Sequence, residues 1–96
     1  MTPVVWTLPA LAHLDAIQDY VAQDSPKAAY RLVNRLIDRT EKLLAANPMS
    51  GRAGRVASTR ELVLPAMPYI VVYRVVAKVE IVAVVHAARD WPDEFI

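Results

Sequence analysis

Residues 24–48 read DSPKAAYRLVNRLIDRTEKLLAANP and carry the clearest pattern in the chain. Ala29, Leu32, Val33, Leu36, Ile37, Leu43 and Leu44 recur at the 3.6-residue period of a helix with one apolar face. Ser25 suits the cap, because its side-chain oxygen can accept an otherwise orphaned first-turn amide. Pro26 suits the first helical position, where its fixed φ is already helical and its missing N–H is not needed. Asn47-Pro48 closes the helix. On the opposite side Lys27, Arg31, Arg35 and Arg39 repeat every fourth residue as a slowly precessing basic ridge.

Upstream of this helix, residues 4–8 (Val-Val-Trp-Thr-Leu) are β-branched and aromatic and read as a strand. Pro9 stops that strand and begins a helix. Leu11, Leu14, Ile17 or Gln18, and Val21 recur at helical spacing, with Tyr20 beside them. This first helix should end near Asp24, since Ser25 precedes a proline and is pushed out of the helical region. Two helices joined by Asp24-Ser25 must fold back as a hairpin.

Downstream, residues 48–57 hold both glycines of the chain and read as a loop. Three strands follow: Thr59–Leu64, stopped by Pro65; Tyr69–Val76; and Val79–His86. Ala77-Lys78 should turn between the last two, but without the Asn-Gly chemistry that would fix the turn type. Residues Ala87 to Ile96 form a tail with Trp91, Pro92 and Phe95. The order β-α-α-β-β-β implies one α+β two-layer domain over residues 1–96, with a helical hairpin packed on a mostly antiparallel sheet.

Composition bounds what such a domain can do. Ninety-six residues with 55% apolar content support one modest core, and that content is high for so small an interior. Much of the apolar excess lies in Val71–Val85, where the hairpin should cover one sheet face and leave the other for a partner. There is no cysteine, hence no disulfide and no thiolate metal site. With 22% charged residues the chain is not compositionally disordered. No apolar run approaches the ~20 residues of a membrane span, and the amino terminus has no basic segment before an apolar one. The expectation is a soluble cytoplasmic protein that does not engage a membrane. The net charge of +1 hides a segregation. Asp15, Asp19 and Asp24 stand without a cation in the first 26 residues. Lys27 to Arg60 carries eight cations against Asp38 and Glu41, and the tail turns acidic at Asp90, Asp93 and Glu94. The ridge reads equally as a solvated face or a charged contact surface.

Several chemistries have no residues to carry them. There is no P-loop, no dinucleotide glycine motif, no H-E-x-x-H and no G-x-S-x-G. His13 and His86 fall on different elements, so neither a metal site nor a cofactor is expected. What remains is a basic cluster: Arg52 and Arg55 on the loop, Arg60, Arg74 and His86 on or beside strands, and Arg89 after them. Such groups clamp phosphate, and His86 moves a proton near neutral pH. Each also has a plain structural role available, since arginines guard sheet edges and a histidine ending an apolar strand is often a satisfied structural one. Three arginines within residues 52–60 make only a small patch. Trp91 reads as sealing the core or sitting at an interface. Tyr69 and Tyr73 share a strand face by alternation.

In sequence, these residues resemble the RelE/ParE superfamily of toxins from type II toxin–antitoxin modules. The likeness covers nearly the whole chain. It runs from the Trp6 strand and the hairpin through Asn47-Pro48, Gly51-Arg52, Gly54-Arg55 and Arg60-Glu61-Leu62. It ends in Tyr69-Ile70-Val71-Val72-Tyr73-Arg74, then Val84-Val85-His86-Ala87-Ala88-Arg89 with Trp91-Pro92. The resemblance implies a cognate antitoxin, a hetero-oligomeric complex, and operator DNA contacted only through the antitoxin. It also implies one of two targets. ParE-like members inhibit DNA gyrase and are not nucleases. RelE-like members cleave messenger RNA on the ribosome.

The chain departs from the nuclease pattern. Ile70 stands where RelE-like members usually carry arginine, Lys27, Lys42 and Lys78 are the only lysines, and no tyrosine follows Tyr73. A nuclease would have to rest on His86, Arg74, Arg60 and Glu61, an incomplete set. The likeness is therefore closer to ParE-like than RelE-like members, and to a binding protein rather than an enzyme. The alternatives are a ribosome-dependent endoribonuclease and a non-toxic module that only binds an antitoxin. Target or antitoxin contact is expected from Arg31, Arg35, Arg39, Arg52, Arg55, Arg89 and Trp91.

Overall fold

Thr7 and Ser25 fix where the two helices begin. The Thr7 Oγ1 accepts the Ala10 amide at 3.4 Å, and the Ser25 Oγ accepts the Ala28 amide at 3.1 Å. A computed structural model of the chain describes residues 2–88. Its elements are β1 (Val4–Trp6), α1 (Leu8–Ala22), α2 (Pro26–Ala46), β2 (Arg52–Ala53), β3 (Arg60–Val63), β4 (Tyr69–Val75) and β5 (Val79–His86). The first strand is shorter than residues 4–8 because Thr7 leaves it to cap α1. Leu8 then takes the first helical position and Pro9 the second.

The α+β expectation holds, with two refinements. The sheet has five strands in the order β1-β5-β4-β3-β2, one more than the sequence order implied. The added strand, β2, pairs antiparallel with β3 through Arg52↔Glu61 and Ala53↔Arg60. Two residues flanked by Gly51 and Gly54 show no alternation, so they read as loop. The sheet is also mixed: β1 runs parallel to β5, while β3, β4 and β5 form an antiparallel meander. The β4–β5 connection is the three residues Val76 to Lys78 between the paired Val75 and Val79, with the Val76 amide donating to the Lys78 carbonyl at 2.9 Å.

The main core lies between hairpin and sheet. Ala10, Leu14 and Ile17 of α1 and Val33, Leu36 and Leu44 of α2 meet Val71, Tyr73, Val79, Ile81 and Val84. A second, small cluster of Val72, Val82 and Ala83, with Val85 against it, lies on the other face. This corrects the expectation that Val71–Val85 leaves one apolar face open. Val71, Val72 and Ala83 are fully buried, and Ile70, Val82 and Val84 are within 5% of it. A strand buried on both faces reads as a continuous apolar run, as residues 69–73 and 81–85 do. The exposed large apolar side chains include Leu8, Leu11 and Leu43 of the helices and Val63 of β3, and within Val71–Val85 they are Val75 and Val76 at the turn end.

Among the described residues, no helix is long and apolar enough to cross a membrane.

Candidate functional site

Pairing across strands places side chains on shared faces, so it sorts the candidate residues. Glu61 pairs with Arg52 and with Val72, which packs on the face away from the helices. Arg60 pairs with Tyr73, which packs toward the helices. Neighbouring residues of one strand thus serve opposite sides of the sheet.

Glu61 is 3% exposed and holds the arginine loop. Its Oε1 accepts from Arg52 Nε and Nη2 at 3.2 and 3.0 Å. Its Oε2 accepts from the Arg55 amide at 2.9 Å and from Arg55 Nε at 3.3 Å. Burial alone would push the carboxyl up. The Arg55 amide, the Arg52 hydrogen bonds and both guanidinium charges outweigh it, so Glu61 sits below the usual carboxylate range. It is therefore a fixed anion that positions two arginines, each about half exposed on its outer side.

The start of this loop is pinned from the helix side. The Tyr73 hydroxyl donates to the Pro48 carbonyl at 2.7 Å and accepts the Gly51 amide at 2.8 Å. Arg60 Nη2 donates to the carbonyls of Gly51 and Met49. A Cβ on Gly51 would stand 2.6 Å from the Tyr73 hydroxyl and 2.8 Å from the Glu61 carbonyl, so glycine is required by space. Arg60 is thus a structural staple.

Arg74 and His86 lie at opposite ends of the β4–β5 pair. Arg74 Nε donates to Glu80 at 2.6 Å, whereas His86 pairs with Tyr69. Arg74 is five residue steps along β4 from Tyr69, about 17 Å at the usual rise. The side chains proposed for a nuclease are therefore not brought around one point. Arg31, Arg35 and Arg39 are exposed along the outside of α2. Among the described residues none of these three makes an ion pair; the α2 pair is Lys42 with Asp38 at 3.2 Å. The ridge lies on the helix layer and the Arg52–Arg55 loop on the far side of the sheet, so they form two separate basic surfaces. Arg89 and Trp91 lie outside the described residues.

One cluster escaped the sequence reading. His13, Ala16, Ile17 and Tyr20 of α1 face Tyr69, Val84 and His86 across an open cleft of about 170 Å³. His13 Nδ1 accepts the Val84 amide at 3.1 Å, and His86 Nδ1 accepts the Ala88 amide at 3.1 Å. In each contact Nδ1 is the acceptor, so Nε2 is the ring nitrogen left to donate. Burial holds His13 below its ordinary value. Tyr69 meets His86 edge-on, with ring centroids 5.5 Å apart. The two histidines are 73 positions apart, and only the packing of α1 on β5 joins them. The available signal was His13, Ile17 and Tyr20 at i, i+4 and i+7, one side of a helix.

This architecture has relatives. The family described as "ParE toxin of type II toxin-antitoxin system, parDE" matches residues 4–91. The chain belongs to the ParE toxin family. Toxin RelE2 of Caulobacter vibrioides is 47% identical over 90 residues, covering 93% of this chain and 99% of its own. The protein Y4kP of Sinorhizobium fredii is 52% identical over 87 residues, covering 91% and 90%. A solved structure described as the chromosomal ParDE TA system from P. aeruginosa superposes with a TM-score of 0.78 at 32% identity, covering 90% of this chain and 96% of that one. The ParE-family toxin fold thus accounts for the hairpin on a mixed five-strand sheet.

Proposed function

We propose that this ParE-family chain is the toxin half of a two-protein module, is neutralised by a cognate antitoxin, and inhibits DNA gyrase by binding. The observation that carries this reading is the dispersal of the basic side chains. Arg60 is spent on the loop carbonyls and Glu61 on Arg52 and Arg55. Arg74 is held by Glu80 at the far end of β4 from His86. A phosphodiester cleavage site needs acid, base and charge stabilisation within hydrogen-bond reach of one phosphate. Rigid, half-exposed arginines on a pinned loop instead suit recognition of another macromolecule, since less side-chain freedom is lost on contact. The match to a solved ParDE system supports an antitoxin partner.

The second reading, a ribosome-dependent endoribonuclease, draws support from the two histidines lining the cleft and from the relative named RelE2. Substitution separates the two. His86→Ala combined with Arg74→Ala should leave growth arrest intact under the gyrase reading. It should lower message cleavage by roughly 10²-fold or more if His86 is an acid or base.

A further inference from the structure

The cleft between α1 and the β4–β5 pair presents an unusual set of groups for a site of its size. Each histidine has its Nδ1 committed to a backbone amide, which leaves Nε2–H as the remaining polar group of the ring. Both rings line the same cleft. His13 bonds the amide of Val84, and His86 follows two residues later on the same face of β5, about 7 Å along the strand. Tyr69 stands across from His86, and its hydroxyl makes no hydrogen bond among the described residues. Among the described residues the rest of the wall comes from Ala16, Ile17 and Val84, which are apolar, and from Tyr20.

We propose that this cleft is an anchor site for an acidic side chain of a partner protein. A glutamate or aspartate carboxylate accepts from Nε2–H of His13, Nε2–H of His86 and the Tyr69 hydroxyl, with its aliphatic stem against Ile17 and Val84. The chemistry selects this occupant in three ways. A metal ion needs a lone pair at Nε2; moving each proton to Nδ1 would forfeit both amide bonds, and no third metal-ligating side chain joins the pair among the described residues. A phosphate carries more charge and more oxygens than three donors satisfy, and among the described residues no lysine or arginine lines the cleft. A cofactor needs a pocket of roughly 300 Å³ or more, well above the space here. A carboxylate, by contrast, has two oxygens that three donors lining one cleft saturate. Asp15 and Asp19 project from the side of α1 away from His13, Ile17 and Tyr20, so they do not line the site. The inference goes beyond the functional reading above and holds whichever cellular target the toxin has.

The test is a titration of the whole isotopically labelled protein, followed through the histidine ring signals at pH 7.5. The probes are N-acetylglutamate N-methylamide, its neutral glutamine counterpart and inorganic phosphate. Saturable shifts of both rings at one millimolar-range dissociation constant are expected for the glutamate probe. The glutamine probe should bind at least about tenfold more weakly, because hydrogen bonds to an ionised acceptor are roughly twice as strong. Phosphate should not saturate. Tyr69→Phe, which keeps the ring and the fold, should weaken the glutamate probe by about threefold or more. No saturable response to glutamate would overturn the assignment. So would glutamine binding as well as glutamate, tighter binding of phosphate, or an unchanged affinity in Tyr69→Phe.

Discussion

His13 Nδ1 accepts the Val84 amide at 3.1 Å from a position 71 residues away. The bond completes an edge. β1 pairs only with Val79 to Ile81 of β5, although β5 runs on to His86. Where β1 stops, Thr7 donates to the Ile81 carbonyl through both its amide and its hydroxyl, and His13 then takes the Val84 amide. Helix α1 thus covers an edge that would otherwise offer backbone groups to any passing strand.

Burial of the His13 ring makes stability depend on pH near neutrality. Burial lowers the His13 value in the fold from 6.5, so the unfolded chain binds more protons below that pH. The contribution is complete above about pH 6.5 and drains as pH falls through the lowered folded value. Urea midpoints at pH 7.5 and 5.5 should show the loss. His13→Gln, which keeps an acceptor but does not titrate, should flatten the step.

Glu61 gives a second step in a more acidic window. Its folded value lies below 4.5, so its contribution is present above that pH and is lost as pH falls through the folded value. Glu61→Gln should cost about 1–3 kcal/mol, since it strips the charge from hydrogen bonds made by a buried side chain. Equilibrium denaturation at pH 7 measures it. Amide exchange should rise first at Arg55, whose N–H the carboxylate holds.

Gly51 and Tyr73 should behave as a coupled pair. Gly51→Ala places a methyl 2.6 Å from the Tyr73 hydroxyl and should cost about 1–3 kcal/mol. Tyr73→Phe removes the hydroxyl that this methyl strikes, along with its bonds to Gly51 and Pro48. The double variant should therefore be less damaged than the two single costs added together, and a double-mutant cycle reads the difference.

The two basic surfaces should separate stability from binding. Arg31, Arg35 and Arg39 make no ion pair among the described residues, so replacing each with alanine should move stability by no more than about 0.5 kcal/mol. If the ridge meets an acidic antitoxin, the triple variant should slow association, with the difference shrinking as salt rises. Stopped-flow mixing with the cognate antitoxin at two ionic strengths measures both.

Local rules made most of the fold legible. The 3.6 period of α2, the Ser25-Pro26 start and the β-branched runs of β4 and β5 each identify one element without help from the rest of the chain. β2 lacked such a signal because two residues hold no period, and they form a strand only because Glu61 draws Arg52 and Arg55 onto β3. The site was less legible. Loop arginines were visible as residues, but that Arg60 turns inward while Arg52 turns outward depends on strand register. His13 and His86 meet through tertiary packing alone, and no spacing along the chain reports a contact across 73 positions.

Under the proposed function this ParE-family toxin acts by binding gyrase and not by cutting RNA. Supercoiling of relaxed plasmid by purified gyrase, with the toxin near stoichiometric amounts and message-bearing ribosomes assayed beside it, tests that claim most directly. The predicted result is blocked supercoiling, restored by the antitoxin, with the ribosome-bound message left whole. Normal supercoiling at excess toxin, together with cleaved message, would contradict it.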